Sequence, residues 1–288
     1  MSLQNLSAID TDMQQPVSRL LADAFAGAGN DGNSLIYVSP DGDDTDGDGS
    51  LLTPYLTLAV ALAACTTTRK NIIVLPGEYE ELVTLVWPNI TGISIVGIGD
   101  VTITVPATET DEVIKIDPTF SASTFTASLE NVTISAPDGV DGIRFNNTNT
   151  TGRKFNLTLK NVSIENETAT DKSLYVVHTT TTQAMRVYAD GLRNIWEGLL
   201  FITPENVDDR FFFTNIQCDG GMQFGTATIA SSTMFKNCIV KDGGGSGGQD
   251  TQILTALNCH SLTAETTYAI AALADFASNA KEVILPAA

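Results

Sequence analysis

The sequence predicts an all-β solenoid, a single-stranded parallel β-helix with a capping helix near its N-terminal end. The first observation is a degenerate unit that recurs as Leu129-Glu-Asn-Val-Thr-Ile134, Leu159-Lys-Asn-Val-Ser-Ile164, Phe213-Thr-Asn-Ile-Gln-Cys218, Phe235-Lys-Asn-Cys-Ile-Val240 and Leu257-Asn-Cys-His-Ser-Leu262. Its asparagines, Asn131, Asn161, Asn215, Asn237 and Asn258, advance by 30, 54, 22 and 21 residues, and Tyr188-Ala-Asp-Gly-Leu192 fits as a missing member inside the long step. A spacing of about 20–30 residues is what one coil of three short strands and three turns requires. The second observation is alternation. Val132 and Ile134, Val162 and Ile164, Ile216 and Cys218, and Cys238 and Val240 place an apolar side chain at every second residue after the Asn, as a strand with one buried face demands. The third is composition. Only 17% of residues are charged, and Thr, Ser, Asn and Gly fill the difference, which suits strands and turns better than exposed helices.

Residues 1–34 differ from the rest and read as an arm or adaptor. Val17, Leu20, Leu21 and Phe25 lie near one face of a short helical pattern, and Gly27-Ala-Gly-Asn-Asp-Gly-Asn33 ends it. Leu35-Ile-Tyr-Val-Ser39 is a β-type run, followed by the acidic turn-rich loop Pro40–Ser50. Thr53-Pro54 supplies a helix start, Thr as N-cap and Pro at the first helical position. The helix is expected to run to Cys65, apolar nearly all round and therefore covered. A strand follows at Ile72–Leu75, then a turn at Pro76-Gly-Glu-Tyr79.

The order Tyr-Val-Ser-Pro-Asp-Gly, acidic glycine loop, Thr-Pro-Tyr-x-Thr, Ala-rich helix and Val-Leu-Pro-Gly-Glu-Tyr resembles the start of pectin-lyase-like right-handed parallel β-helix proteins. The resemblance covers about residues 35–80. It implies a right-handed solenoid capped by the helix, with its first rung beginning at Pro-Gly-x-Tyr. It implies little about activity, because the superfamily holds lyases, hydrolases, epimerases and non-catalytic viral proteins. The expected division is an arm over 1–34, the N-terminal cap over 35–70, the β-helix over 71–265 and a C-terminal cap over 266–288. A short helix within Tyr268–Ser278 would cover the open end.

The repeated Asn has a physical role in such a coil. It tolerates the left-handed backbone region at a strand bend, and its amide can bond to the Asn above and below. Cys218, Cys238 and Cys259 fit as small core residues of successive coils, and with Cys65 they show no zinc or redox spacing.

Candidate chemistry is sparse. Asp44-Thr-Asp-Gly-Asp-Gly49 matches positions 1, 3, 5 and 6 of a calcium loop, which makes Asp44, Asp46 and Asp48 the candidate metal ligands. Position 12 is Tyr55 where a bidentate Glu belongs. The carboxylate pairs available to a hydrolase are Asp138 with Asp141, Glu165 with Glu167, and Asp208 with Asp209. Polygalacturonase-like signatures are missing, and Gln249-Asp250 is only a fragment of one. Arg144, Arg153, Arg186, Arg193 and Arg210 are isolated in sequence and carry no lyase motif. His178 and His260 read as surface residues. The Asn-x-Ser/Thr triplets at Asn89, Asn131, Asn156, Asn161 and Asn166 read as turn chemistry, and Gly243–Gly248 as a surface loop. No catalytic residue is assigned.

With 34 acidic and 15 basic residues the net charge is −19, and no Lys/Arg cluster exceeds two neighbours, so a nucleic-acid partner is not expected. The N-terminus shows neither a basic start nor an apolar stretch, and no membrane insertion is expected. The expected function is that of a bacteriophage structural protein located in the virion: a capsid decoration, head fibre or small tail protein. The expected partners are other virion proteins, docked through residues 1–34, and host-surface polysaccharide. The resemblance further implies a parallel homotrimer. The alternatives are a polysaccharide lyase or glycoside hydrolase, and a carbohydrate-binding surface adhesin.

Overall fold

The structure is a computed structural model. It describes residues 34–86, 92–110, 112–117, 124–147, 154–166, 171–178, 184–196, 199–203, 208–218, 222–224, 232–241, 253–257, 260–263, 267–268 and 282–284. Among these residues the chain is mostly β-strand, and the strands pair almost throughout in parallel.

The strands form three stacks. The first takes Leu35–Val38, Asn71–Val74, Gly92–Gly97, the opening halves of Thr124–Ala136 and Lys154–Asn166, then Met185–Asp190, Arg210–Thr214, Ser232–Lys236, Ile253–Leu257 and Glu282–Ile284. The second takes Gly77–Glu80, Val101–Thr104, the closing halves of the same two long strands, Arg193–Trp196, Gln217–Cys218, Ile239–Lys241 and His260–Thr263. The third takes Val83–Val86, Glu112–Asp117, Asp141–Asn147, Lys172–His178, Leu199–Thr203 and Met222–Phe224. From Asn71 to Phe224 the chain visits the three stacks in turn and returns to the first, one rung further on.

The bend between the first two stacks is made by the repeated residue. Asn131, Asn161, Asn215 and Asn237 have φ of 55°, 50°, 53° and 53°. Gly191, with φ of 73°, holds the same position in the intervening rung. A Cβ there would lie 2.7 Å from Asn161 Oδ1, so a side chain at this position would have to push that amide aside. The amides form a ladder: Asn161 Nδ2 donates to Asn131 Oδ1 at 3.1 Å, Asn215 Nδ2 to Asp190 Oδ1 at 2.8 Å, and Asn237 Nδ2 to Asn215 Oδ1 at 3.1 Å. Asn258 lies outside the described residues. Asn161→Ala is expected to cost about 1–2 kcal/mol from the left-handed backbone plus a lost hydrogen bond, and Asn161→Gly clearly less. Urea denaturation checks this, and equal losses for both variants would refute the backbone explanation.

Side chains facing inward stack on their counterparts one rung away. Val132, Ile134, Val162, Ile164, Ile216 and Cys238 are buried, as the alternation requires. Phe155 sits 5.0 Å from Phe125 and 4.0 Å from Phe145 between ring centroids, and Phe213 lies 5.2 Å from Phe235.

The helix differs from expectation. It spans only Leu58–Ala63, and its N-cap is Thr57, whose side chain accepts from the Val60 N–H. Thr53 is engaged elsewhere. Its hydroxyl donates to Asp48 Oδ1 at 2.6 Å and its carbonyl accepts from the N–H groups of Asp48 and Gly49, while Tyr55 pairs beside Val38. The acidic loop thus claims residues 53–55 before a helix can start. Only Leu58 and Ala61 are fully buried, so the helix is not covered all round. The turn expected over Pro76–Tyr79 is shorter, because the strand Gly77–Glu80 already begins inside it. At the other end the strands continue beyond residue 265. Glu282–Ile284 joins the first stack, and Thr267–Tyr268 turns back antiparallel on Leu262–Thr263. Of the helix expected within Tyr268–Ser278, Tyr268 belongs to a strand, and the remainder, like residues 1–33 of the arm, falls outside the described residues. Among the described residues no helix is long and apolar enough to cross a membrane.

Candidate functional site

The acidic loop is held together by its own carboxylates. Asp43 Oδ1 accepts from the N–H groups of Thr45 and Asp46, and Asp48 Oδ1 from Ser50 N at 2.8 Å and from the Thr53 hydroxyl. The Thr53 hydroxyl foremost, and then the Ser50 N–H, hold the Asp48 carboxyl down to about 2. Asp44 reaches the other way, its Oδ1 accepting from Leu56 N and Thr57 N and its Oδ2 from the Thr57 hydroxyl. Asp44 and Asp48 therefore serve different ends of the loop. Among the described residues no three His, Cys, Asp or Glu side chains are gathered as a metal would need.

Asp44 shares its work with Glu81. Glu81 Oε1 accepts from Leu58 N at 2.7 Å and Oε2 from Ala59 N at 2.9 Å. Four consecutive backbone donors, residues 56–59, are thus satisfied by two carboxylates brought from the loop and from the end of the Gly77–Glu80 strand. A helix start leaves such donors orphaned and welcomes negative charge. Burial pushes the Glu81 pKa up, the two N–H groups pull it back, and the Asp44 charge adds to the rise.

On the third stack, one rung after another contributes to a charged cluster. Glu112, whose side chain is 1% exposed, lies 3.3 Å from Arg144 Nη1 and 3.4 Å from Lys115 Nζ. Its Oε1 has no hydrogen bond of proper geometry. Arg144 lies over the Tyr175 ring at 5.4 Å, and Lys172 Nζ over the same ring at 4.6 Å. Asp141 Oδ1 accepts from Lys172 N at 2.8 Å, and Asp171 Oδ2 from Gly139 N at 2.9 Å. Burial raises the Asp141 pKa, opposed by the Lys172 N–H and the charges of Lys172 and Arg144, and reinforced by Asp171. Three cations and three carboxylates balance locally. The cluster can orient a polar ligand against an aromatic ring, but its carboxylates already hold backbone donors or ion-pair partners. Arg144 is therefore not isolated.

Along the second stack run two adjoining hollows. One, of about 460 Å³, is lined by residues including Asp100, Asn131, Thr133, Asn161 and Glu165. The other, of about 750 Å³, adds Asp190, Arg193 and Asn215. The asparagine ladder forms their shared wall.

The carboxylate pairs read from the sequence do not converge. Asp138 is exposed while Asp141 is turned to Lys172. Asp208 is exposed while Asp209 is fully buried and accepts from Met185 N at 2.7 Å. Glu165 lines the first hollow, and its expected partner Glu167 lies outside the described residues, as do Arg153, Gln249-Asp250 and Gly243–Gly248. Cys238 is buried and donates its S–H to the Phe213 and Lys236 carbonyls, and burial pushes the Cys65 thiol up to about 11, the opposite of an activated nucleophile. The cluster of Glu112, Asp141 and Asp171 was missed because its members are 29 and 30 residues apart. The coil period, applied to charged residues as it was to Asn, is the signal that finds it. Compared with known protein families and with the curated proteins, the chain matches none.

Proposed function

We propose that the chain is a right-handed parallel β-helix acting as a non-catalytic structural rod of a bacteriophage particle, a capsid decoration, head fibre or small tail protein docked through residues 1–34. The observation that supports it is how the carboxylates are used. Asp44, Asp48, Glu81, Asp141, Asp171 and Asp209 each accept backbone N–H groups, and most of these bonds join separate elements or rungs. A general acid or base instead needs its oxygen aimed at a substrate. These side chains brace the rod, and the net charge of −19 favours a displayed molecule that resists clumping. Deleting residues 1–33 is expected to leave a folded protein that no longer assembles onto particles. Retained assembly, or release of oligosaccharides from a polysaccharide panel by the full chain, would overturn the reading.

The hollows on the second stack favour one second reading, a carbohydrate-binding adhesin. Amides and hydroxyls of Asn131, Thr133, Asn161 and Ser163, with Arg193 alongside, match sugar hydroxyls. Loss of glycan-array binding in Arg193→Ala would favour it.

A further inference from the structure

The outward face of the first stack is unlike the rest of this acidic chain. On the strands Lys154–Lys160, Met185–Asp190, Arg210–Thr214 and Ser232–Lys236, inward and outward residues alternate strictly wherever burial is defined. The outward charged positions are Lys154, Lys160, Arg186, Arg210 and Lys236 against Asp190 alone, so five of the chain's 15 basic residues share one face. Lys160 is paired with Glu130 of the preceding rung at 2.6 Å. Down the middle of the face runs the column Tyr188, Phe212, Met234, set by strand register. Tyr188 is 39% exposed and stacks on Phe212 at 5.0 Å with 5° between planes. Arg, Tyr, Phe and Met are the residue types enriched at protein–protein interfaces.

We infer that this face docks a second copy of the chain, side by side and parallel, about a two-fold axis running along the stack through Tyr188, Phe212 and Met234. The order of residues along each strand selects that geometry. Arg186 stands two residues before Tyr188 and Asp190 two residues after it, all three facing outward. A two-fold axis along the central column exchanges the two flanks of the face. Arg186 of each copy then meets Asp190 of the other, giving two identical ion pairs around a column of rings. On the other rungs, Lys160 falls opposite the Asn156 position, Arg210 opposite Thr214, and Lys236 opposite Ser232. No rung sets cation against cation. The antiparallel alternative fails on the same register. Arg186 is paired with Arg210 in the neighbouring rung, so a two-fold axis along the strands, passing between these rungs, places arginine opposite arginine. An isologous contact in which residue i meets j and j meets i is the usual solution for two identical chains. It replaces the three-copy arrangement that the family resemblance suggests, and it holds whether or not the chain belongs to a particle. The face is small, so pairing is concentration-dependent.

Sedimentation of the full chain, followed up to roughly 1 mM, the weak end of specific affinities, tests this. The expected mass is two copies. Arg186→Asp alone and Asp190→Arg alone are each expected to weaken self-association on the order of 10–100-fold, with circular dichroism confirming that both variants fold. Mixing the two variants restores pairing within about 3-fold of wild type, because both ion pairs then form between unlike chains, one in its native sense and one with its charges exchanged. A wild-type monomer, a three-copy mass, unaffected single variants or a mixture that stays monomeric would each overturn the proposal. So would a monomer retained on dextran sulfate through Arg186, which would assign the face to polyanions instead.

Discussion

Phe155→Ala is expected to lose about 3–5 kcal/mol of stability, the range for removing a fully buried aromatic ring. The ring is 2% exposed and touches Phe125 on the rung before it and Phe145 on the third stack. Its removal therefore opens a cavity shared by two rungs and two stacks, and rigid parallel strands collapse poorly into such a space. The loss is a large part of the roughly 5–15 kcal/mol that holds a typical domain together. Phe155→Leu, which keeps most of the volume, should cost about 1–2 kcal/mol, and Tyr188→Ala on the outward face of the neighbouring rung less than about 1.5 kcal/mol. Urea titration of the three variants orders them. A Tyr188→Ala loss as large as that of Phe155→Ala would contradict the inward–outward assignment on which the core rests.

Glu81→Ala is expected to cost about 2–3 kcal/mol, because two helix-start donors lose a charged acceptor in a half-buried place. The pH dependence is separable from that loss. Burial raises the folded-state pKa of Glu81 above its ordinary 4.5. The folded state therefore holds this proton where the unfolded chain has already released it, and between those two values stability falls as pH rises. The contribution is fully present below the unfolded value and is lost as pH climbs through the folded one. The charged groups facing Glu81 are the Asp44 carboxylate, which raises it further, and no cation is among the causes of its shift. Subtracting the Glu81→Gln profile from the wild-type profile of unfolding free energy isolates the effect from the general repulsion of an acidic chain. A difference that is flat from pH 4.5 upward would show that the carboxylate is not desolvated by the helix it holds.

Much of the fold was legible in the sequence wherever one residue type marks one backbone state. Asn131, Asn161, Asn215 and Asn237 announce the bend because few other side chains accept positive φ, and the alternation after each of them fixes which residues face inward. Gly191 answers to the same rule with a different residue. The third stack carried no such marker. Its strands, such as Glu112–Asp117 and Lys172–His178, are set by pairing with neighbours about 30 residues away. The helix start was misplaced by four residues because Thr-Pro is a local signal, and the Asp48 carboxylate outbid it through a tertiary hydrogen bond. Candidate chemistry fared worse for a related reason. Asp138 and Asp208 were paired with acids close in sequence, whereas the coil brings Glu112, Asp141 and Asp171 together by period.

The in-register stacking of like residues has a consequence for how the molecule ends. Leu129 pairs with Leu159, Val132 with Val162 and Ile134 with Ile164, each pair in parallel. Identical side chains repeated along parallel, in-register strands are also the construction of an amyloid fibril, where each added chain becomes the template for the next. Here one polypeptide supplies all its own layers, so each layer inherits the same power to recruit. Growth must be stopped by the chain itself. At the start, the helix Leu58–Ala63 lies against the opening strands of the stack, fastened by Asp44 and Glu81. Towards the finish, Thr267–Tyr268 folds back antiparallel on Leu262–Thr263 and interrupts the second stack, while Glu282–Ile284 adds one further parallel strand to the first. The outer edge of Leu35–Val38 is meanwhile paired with Gly49 and Tyr55 of the acidic loop, so a variant that unfastens the loop exposes a strand edge ready to polymerise, and fibrils seeded from that end are the form its failure would take.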